Sequence, residues 1–243
     1  MWRYVALLLT ALFTLQVQAS DVPPAFKAHY VVKKGPFKLG HSVRELRHGE
    51  NGELTFYSSS ESTGFVSLLF SEDIQETSRL RQVDERIMPL EYQYRREGRR
   101  NRTIAQQFDW QAGNVTSKVN ETVYEFALHE DALDQSGYQV NLMVDLAKGE
   151  RDISYHVARR DEMRVYDIEH LRDERIDTVL GELDTVVIRR NAKQTTTMWC
   201  ASDLHFLPVK IQHEEKGGVF TAYLQSVEWS QPGALAESAK ASE

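Results

Sequence analysis

Apolar side chains recur at every second position along most of this chain, and that alternation limits its folds more than any other feature. Phe26, Ala28, Tyr30 and Val32 alternate with Lys27, His29 and Lys33; Leu90, Tyr92 and Tyr94 alternate with Glu91, Gln93 and Arg95. Ile104, Phe108 and Trp110 run out of phase with Gln107 and Asp109, and Tyr124, Phe126 and Leu128 with Glu121 and Glu125. Ile153, Tyr155 and Val157, then Val209 and Ile211, continue the pattern. A period of two marks strands with one buried and one wet face. Turn signals separate them: Gly49-Glu50-Asn51-Gly52, Gly98, Gly113-Asn114, Gly181 and Gly217-Gly218. Roughly a dozen strands is too many for a flat open sheet, which would curl or split in two. The expected fold is all-β: a β-rich chain with one main helix and a strongly curved antiparallel meander, half-barrel or barrel-like.

The helix is expected over Leu133–Lys148, where Leu133, Tyr138, Leu142, Val144 and Leu146 break the alternation. Asp134 or Ser136 would cap its start and Gly149 would stop it. It would pack over the curved sheet or plug it. A second apolar segment, Phe65-Val66-Ser67-Leu68-Leu69-Phe70, suits a short helical turn or a loop.

The two ends of the chain differ from its body. Trp2-Arg3-Tyr4, the uncharged stretch Val5–Leu15 and the small-residue site Val17-Gln18-Ala19 read as a cleavable export signal over residues 1–19. The stretch is shorter than the ~20 residues that span a bilayer. Residues 20–229 form a single β-rich domain in this reading, and residues 230–243, rich in Ala, Glu, Ser and Lys, a disordered tail. The destination is the periplasm, with cleavage after Ala19; the product is soluble and, having no cysteine near that site, not lipidated. Losing Arg3 takes the formal charge from −7 to −8, and an acidic surface argues against nucleic-acid binding. The lone Cys200 excludes an internal disulfide, so the domain depends on packing.

Tests for chemistry mostly return the plainer reading. None of the eight histidines pairs at the spacing of a zinc-protease helix, and one cysteine makes no thiolate cluster. His129-Glu130-Asp131 and Glu169-His170 are the densest mixtures, and among 36 acidic residues such neighbours arise by chance. No metal or cofactor is expected. Gly64-Phe65-Val66-Ser67-Leu68 lacks the second glycine of a nucleophile elbow. Cys200, beside Trp199 in a strand, reads as a buried small hydrophobe. No catalytic residues are assigned. Arg95, Arg96, Arg99, Arg100 and Arg102 surround Gly98 at an expected hairpin tip, where forked guanidinium groups suit an anion or an acidic partner. The simpler alternative is a solvated hairpin paired with its own glutamates.

Ile176, Leu180-Gly181, Thr185-Val186-Val187-Ile188-Arg189-Arg190, Trp199 and Leu204-x-x-Leu207-Pro208-Val209-Lys210-Ile211 together resemble the C-terminal signature of the domain of unknown function 3108 family. Tyr30, Gly35 and Gly40, and the strand start Pro89-Leu90-Glu91-Tyr92, are similar too. The resemblance implies a bacterial, exported, β-rich protein and supplies no catalytic residues. These positions also have fold-specifying roles: Pro208 suits the first residue of a strand, Gly181 a hairpin with positive φ, and Trp199 a buried ring.

Three functions remain open. The leading one is a non-catalytic binding or envelope-maintenance protein holding a lipid or apolar ligand in the concave sheet face. Phe65, Leu68, Leu69, Phe70, Tyr138, Leu142 and Met143 would line that site. The second is interaction with an envelope protein through sheet edges or the arginine hairpin 95–102. The third is an envelope glycan or lipid hydrolase, which needs a cleft with two convergent polar groups.

Overall fold

Among the described residues the alternation becomes fourteen antiparallel strands in one sheet. The structure, a computed structural model, describes residues 22–63, 72–98, 100–191, 195–215 and 217–230. In chain order the elements are β1 (Ala25–Lys34), β2 (Phe37–His48), β3 (Glu53–Ser62), β4 (Glu72–Val83), β5 (Arg86–Gly98), β6 (Arg102–Asp109), β7 (Asn114–Val119) and β8 (Thr122–Ala127). After them come helix α1 (Tyr138–Ala147), β9 (Ile153–Arg159), β10 (Glu162–Thr178), β11 (Gly181–Asn191), β12 (Thr196–Ala201), β13 (Leu207–Glu215) and β14 (Gly218–Ser230). The strand order is β8-β7-β6-β5-β4-β3-β2-β1-β14-β13-β12-β11-β10-β9, so each pair but one is a hairpin between consecutive strands. The exception, β1 with β14, joins the two halves of the chain. Residues 1–21, including the expected export signal, and 231–243 of the expected tail lie outside the described residues. Among the described residues no helix is long and apolar enough to cross a membrane.

The barrel is not hydrogen-bonded shut, because β8 and β9 are both edges. It overlaps itself instead. Val157 and Tyr166 point into the main core, whereas Ala158 and Met163 lie on the opposite face of the β9–β10 hairpin. Ala158 and Met163 pack against Tyr92, Ile104, Phe108 and Val115 from β5–β7, a second apolar core between the overlapping layers. The segment leaving β8 also docks on the β9 edge: Leu133 N–H donates to His156 O at 2.8 Å and Ala158 N–H to Leu133 O at 2.8 Å.

That docking corrects the expected helix start. Leu133 is committed to a parallel bridge with Val157. Asp134 turns the chain by accepting the amides of Ser136 and Gly137 at 2.8 and 2.6 Å, so the helix begins only at Tyr138. Gly149, at φ +91°, follows its end. Tyr138, Val140, Leu142, Met143, Val144 and Leu146 are all buried. A short helix that is apolar around most of its girth plugs a core.

The signature residues occupy structural positions. Gly181 has φ +105° at the two-residue turn Val179-Leu180 between β10 and β11. Pro208 is the second residue of β13, not the first, and lies at a bulge opposite Trp199 and Cys200. A bulge also suits a residue that cannot donate to the ladder. Trp199 is buried on the outer face beneath Lys210, whose Nζ lies 4.0 Å from the ring centroid, and its Nε1 donates to Glu174 of the long β10. Gly40 is required where β2 approaches β3, since a Cβ there would overlap the Glu61 carbonyl oxygen.

Candidate functional site

Because the meander is antiparallel, the β1–β2, β5–β6, β7–β8, β9–β10 and β13–β14 turns share one end of the barrel, here termed upper. The lower interior is filled. Phe26, Leu46, Leu54, Phe56, Leu80 and Ile87 are each at most 4 % exposed and pack with the helix in one cluster. The upper interior is different. Ala28, Arg44, Ser58, Glu76 and Tyr94 are successive cross-strand partners, so they project to one face, and Ala28 places that face inward. Arg44, Ser58, Glu76 and Tyr94 nevertheless keep partial exposure. Ser60, Ile74, Arg96 and Arg102, in the next row, do the same. These inward side chains stay partly accessible, in contrast to the buried rows below.

Charge concentrates there. Glu76 accepts a hydrogen bond from Tyr92 Oη at 2.6 Å, and burial, opposed chiefly by that bond, raises its carboxyl above the ordinary range. Arg44 lies 5.5 Å from the ring centroid of Tyr30, whose own hydroxyl donates to Pro208 O at 2.9 Å and is pushed up to about 12 by burial. Arg159 donates to Tyr166 Oη at 2.8 Å. Arg190 donates to Tyr138 Oη at 3.1 Å and Thr196 Oγ1 at 2.9 Å, with its guanidinium 4.8 Å from the Tyr166 ring centroid. The second carboxylate, Asp134, is buried and bound by Ser78 Oγ at 2.6 Å and by its two backbone amides. Burial raises its carboxyl too.

One triad-like arrangement lies in this wall. Thr196 Oγ1 is 2.9 Å from His213 Nδ1, and His213 Nε2 is 3.4 Å from Glu215 Oε1. Thr196 is a buried, β-branched alcohol whose oxygen already receives Arg190, so the group acts as a brace for that arginine. Cys200 is buried and its thiol is pushed up to about 12 by burial, which leaves it protonated and inert.

The residues singled out from sequence fall in several places. Phe65, Leu68, Leu69 and Phe70 lie outside the described residues, as does Arg99. Tyr138, Leu142 and Met143 are 3 %, 1 % and 2 % exposed; only Tyr138 reaches the polar space, through Arg190. The arginine run divides by strand register. Arg95 faces outward and pairs with Glu97, Arg100 is exposed at the turn, and Arg96 and Arg102 share the inward row with Tyr94. Sequence reading missed Arg44, Glu76, Arg159 and Arg190. Their signal was present: each is a charge in the apolar phase of its strand, as Arg44 is beside Leu46 and Arg190 beside Ile188.

His129 and Asp131, passed over as chance neighbours, are joined by His156, all three donor atoms lying within 4.8 Å of one another. The two imidazoles stack at 3.6 Å and 17° from parallel. Both Nδ1 atoms hydrogen-bond Asp131 Oδ1, a clasp where the chain leaving β8 meets β9. Two grooves, of about 550 and 440 Å³, lie among the described residues. The larger opens at the lower end between the helix and strands β5 and β9, lined by Ile87, Asn141 and Tyr155, and the smaller lies beneath the Ile176–Val179 tip; neither includes the interior arginines.

The family model described as "Protein of unknown function (DUF3108)" matches residues 26–225, from the first strand of the barrel almost to the end of the last. The chain belongs to the DUF3108 family. This DUF3108 chain has the open, helix-plugged barrel described above. Among solved structures it is similar to a β-barrel-like protein of domain of unknown function DUF1849 from Brucella abortus. The TM-score is 0.60 at 8 % identity, over 86 % of this chain and 100 % of that one. At that identity the likeness concerns the fold alone. No curated protein matches the chain.

Proposed function

We propose that this DUF3108 protein is an exported, periplasmic, non-catalytic binding protein of the cell envelope that holds a lipid or other apolar ligand inside its barrel. The observation that carries the reading is the unevenly filled interior. The helix and the lower rows bury their apolar side chains, while Arg44, Ser58, Ile74, Glu76 and Tyr94 face inward and keep accessible surface. Barrels of this kind hold a ligand where their own side chains leave room. The export pattern of residues 1–19 supports the compartment. Native mass spectrometry of protein purified under mild conditions, with solvent extraction of the same sample, tests it. A bound mass that extracts into organic solvent is expected. A bare polypeptide mass with an empty extract overturns the reading.

A second reading, interaction with an envelope protein through a sheet edge, has one observation in its favour. Edge strand β8 is exposed over most of its length, with Val123 57 % and Tyr124 37 % exposed. An unpaired edge of this kind can accept a partner's strand. Val123→Pro would remove an edge donor and abolish capture of such a partner; unchanged capture would dispose of this reading.

A further inference from the structure

The upper interior carries more positive charge than the protein itself neutralises. Arg44, Arg159 and Arg190 form none of the ion pairs found among the described residues. Each is held instead by tyrosine: Arg44 against the Tyr30 ring, Arg159 on the Tyr166 hydroxyl, Arg190 between Tyr138 and Tyr166. Arg190 Nε is buried with no hydrogen-bond partner among the described residues. Arg44, Arg159 and Arg190 all influence the carboxyl of Glu76, whose bond from Tyr92 is already made. Asp134 accepts Ser78 and two amides on Oδ1 and keeps a buried Oδ2 with no partner among the described residues, so with Glu76 it sets two carboxyls against three arginines. All three keep partial exposure, and Arg190, whose Nε is buried, is the one most nearly taken out of water, where a guanidinium without a counter-charge is costly. Tyrosine faces and hydroxyls orient these arginines but carry no negative charge. The missing partner is an anion.

We infer that Arg44, Arg159 and Arg190 form an internal seat for an oxyanion head group, carboxylate or phosphate. This rests on the reading of the barrel as a ligand holder and names the chemistry of the ligand's polar end. Guanidinium forks suit such groups because they offer parallel N–H donors to two oxygens at once. The partly exposed Ile74, on the same inward face, leaves apolar surface beside the seat for a tail.

Isothermal titration calorimetry with three probes tests the seat and separates it from the broader reading. Laurate below its micelle concentration carries both head and tail, dodecyl maltoside a tail one carbon longer with a neutral head, and inorganic phosphate a head alone. Laurate is expected to bind at least tenfold more tightly than dodecyl maltoside. Arg44→Met and, as an independent variant, Arg159→Gln should remove that preference, while the outward Arg95→Ala keeps it; circular dichroism reports the fold of each. Equal binding of laurate and maltoside overturns the anion seat and leaves the ligand holder standing. Phosphate binding as tightly as laurate, lost in the same two variants, upholds the seat and overturns the apolar ligand. A laurate preference that survives both arginine changes overturns the seat, and no heat from any probe overturns both.

Discussion

The lower and upper halves of the barrel interior are lined by the same strands, a few residues apart, and they are built on opposite principles. Along β2 and β3 the inward row of Leu46 and Phe56 gives way, two residues on, to Arg44 and Ser58. Below, α1 inserts Leu142, Val144 and Leu146 among Leu80 and Ile87, and apolar burial supplies the cohesion. Above, serines, tyrosines and arginines face one another around Glu76, with Asp134 beside it. One half can therefore carry stability while the other remains open to a ligand. The meander makes this division simple, since each strand crosses both halves and needs only a change of side-chain type along its inward face.

Substitutions that remove or add volume probe the division most strongly. Phe56→Ala in the packed half should cost about 3–5 kcal/mol, read as a fall in denaturation midpoint at unchanged slope. A loss below about 1 kcal/mol would mean that the lower half is no better packed than the upper. Adding atoms should show the same asymmetry. A Cβ at Gly137 would meet Leu80 Cδ2 and Asp134 Oδ2, each at 2.7 Å, so Gly137→Ala should cost about 1–3 kcal/mol. Ser58→Val, which projects methyl groups into the upper space, should stay within about 1 kcal/mol of the parent. Equal losses from these two changes would erase the distinction between filled and open halves.

Charge removal separates the halves in a second way. Arg44 is held by a ring and not by a carboxylate, so Arg44→Met keeps the packing of its stem and discards the cost of desolvating a cation. Stability should be unchanged or rise by about 1 kcal/mol, even as anion binding is lost. A large destabilisation would place Arg44 among the structural residues and dissolve the contrast.

What the sequence made legible follows the same line. Alternation is local, so strands, turns and the curled sheet could be read from it, and so could the burial of Trp199 and Cys200. The start of α1 could not, because the Leu133 bridge to Val157 is a long-range contact that overrides helical spacing. The clasp of His129, Asp131 and His156 was hidden for that reason as well. The interior arginines were hidden differently. They keep the strand period, but a charge in an apolar phase looks like noise until cross-strand partners such as Ala28 and Arg44 show which face it joins. The run 95–102 drew attention as a block of charge, although its own alternation already sends Arg96 inward with Tyr94 and Arg95 outward to Glu97.

Glu76 gives the smallest expected effect and the sharpest sign. Burial raises its carboxyl above the ordinary value, so between that value and the raised one the folded protein holds a proton that the unfolded chain has released. Stability attributable to Glu76 is therefore full at acid pH and declines as pH rises through this window. Glu76→Gln keeps an oxygen to accept the Tyr92 hydroxyl and removes the ionisation. The variant should match the parent below the ordinary carboxylate range. At neutral pH it should exceed the parent by on the order of 1 kcal/mol, because it carries no buried charge to desolvate. Urea midpoints measured across that range check it. Curves that remain parallel would show that the arginines around Glu76 already offset its charge. The interior would then be neutral without a ligand, and the contrast between the two halves would be one of shape alone.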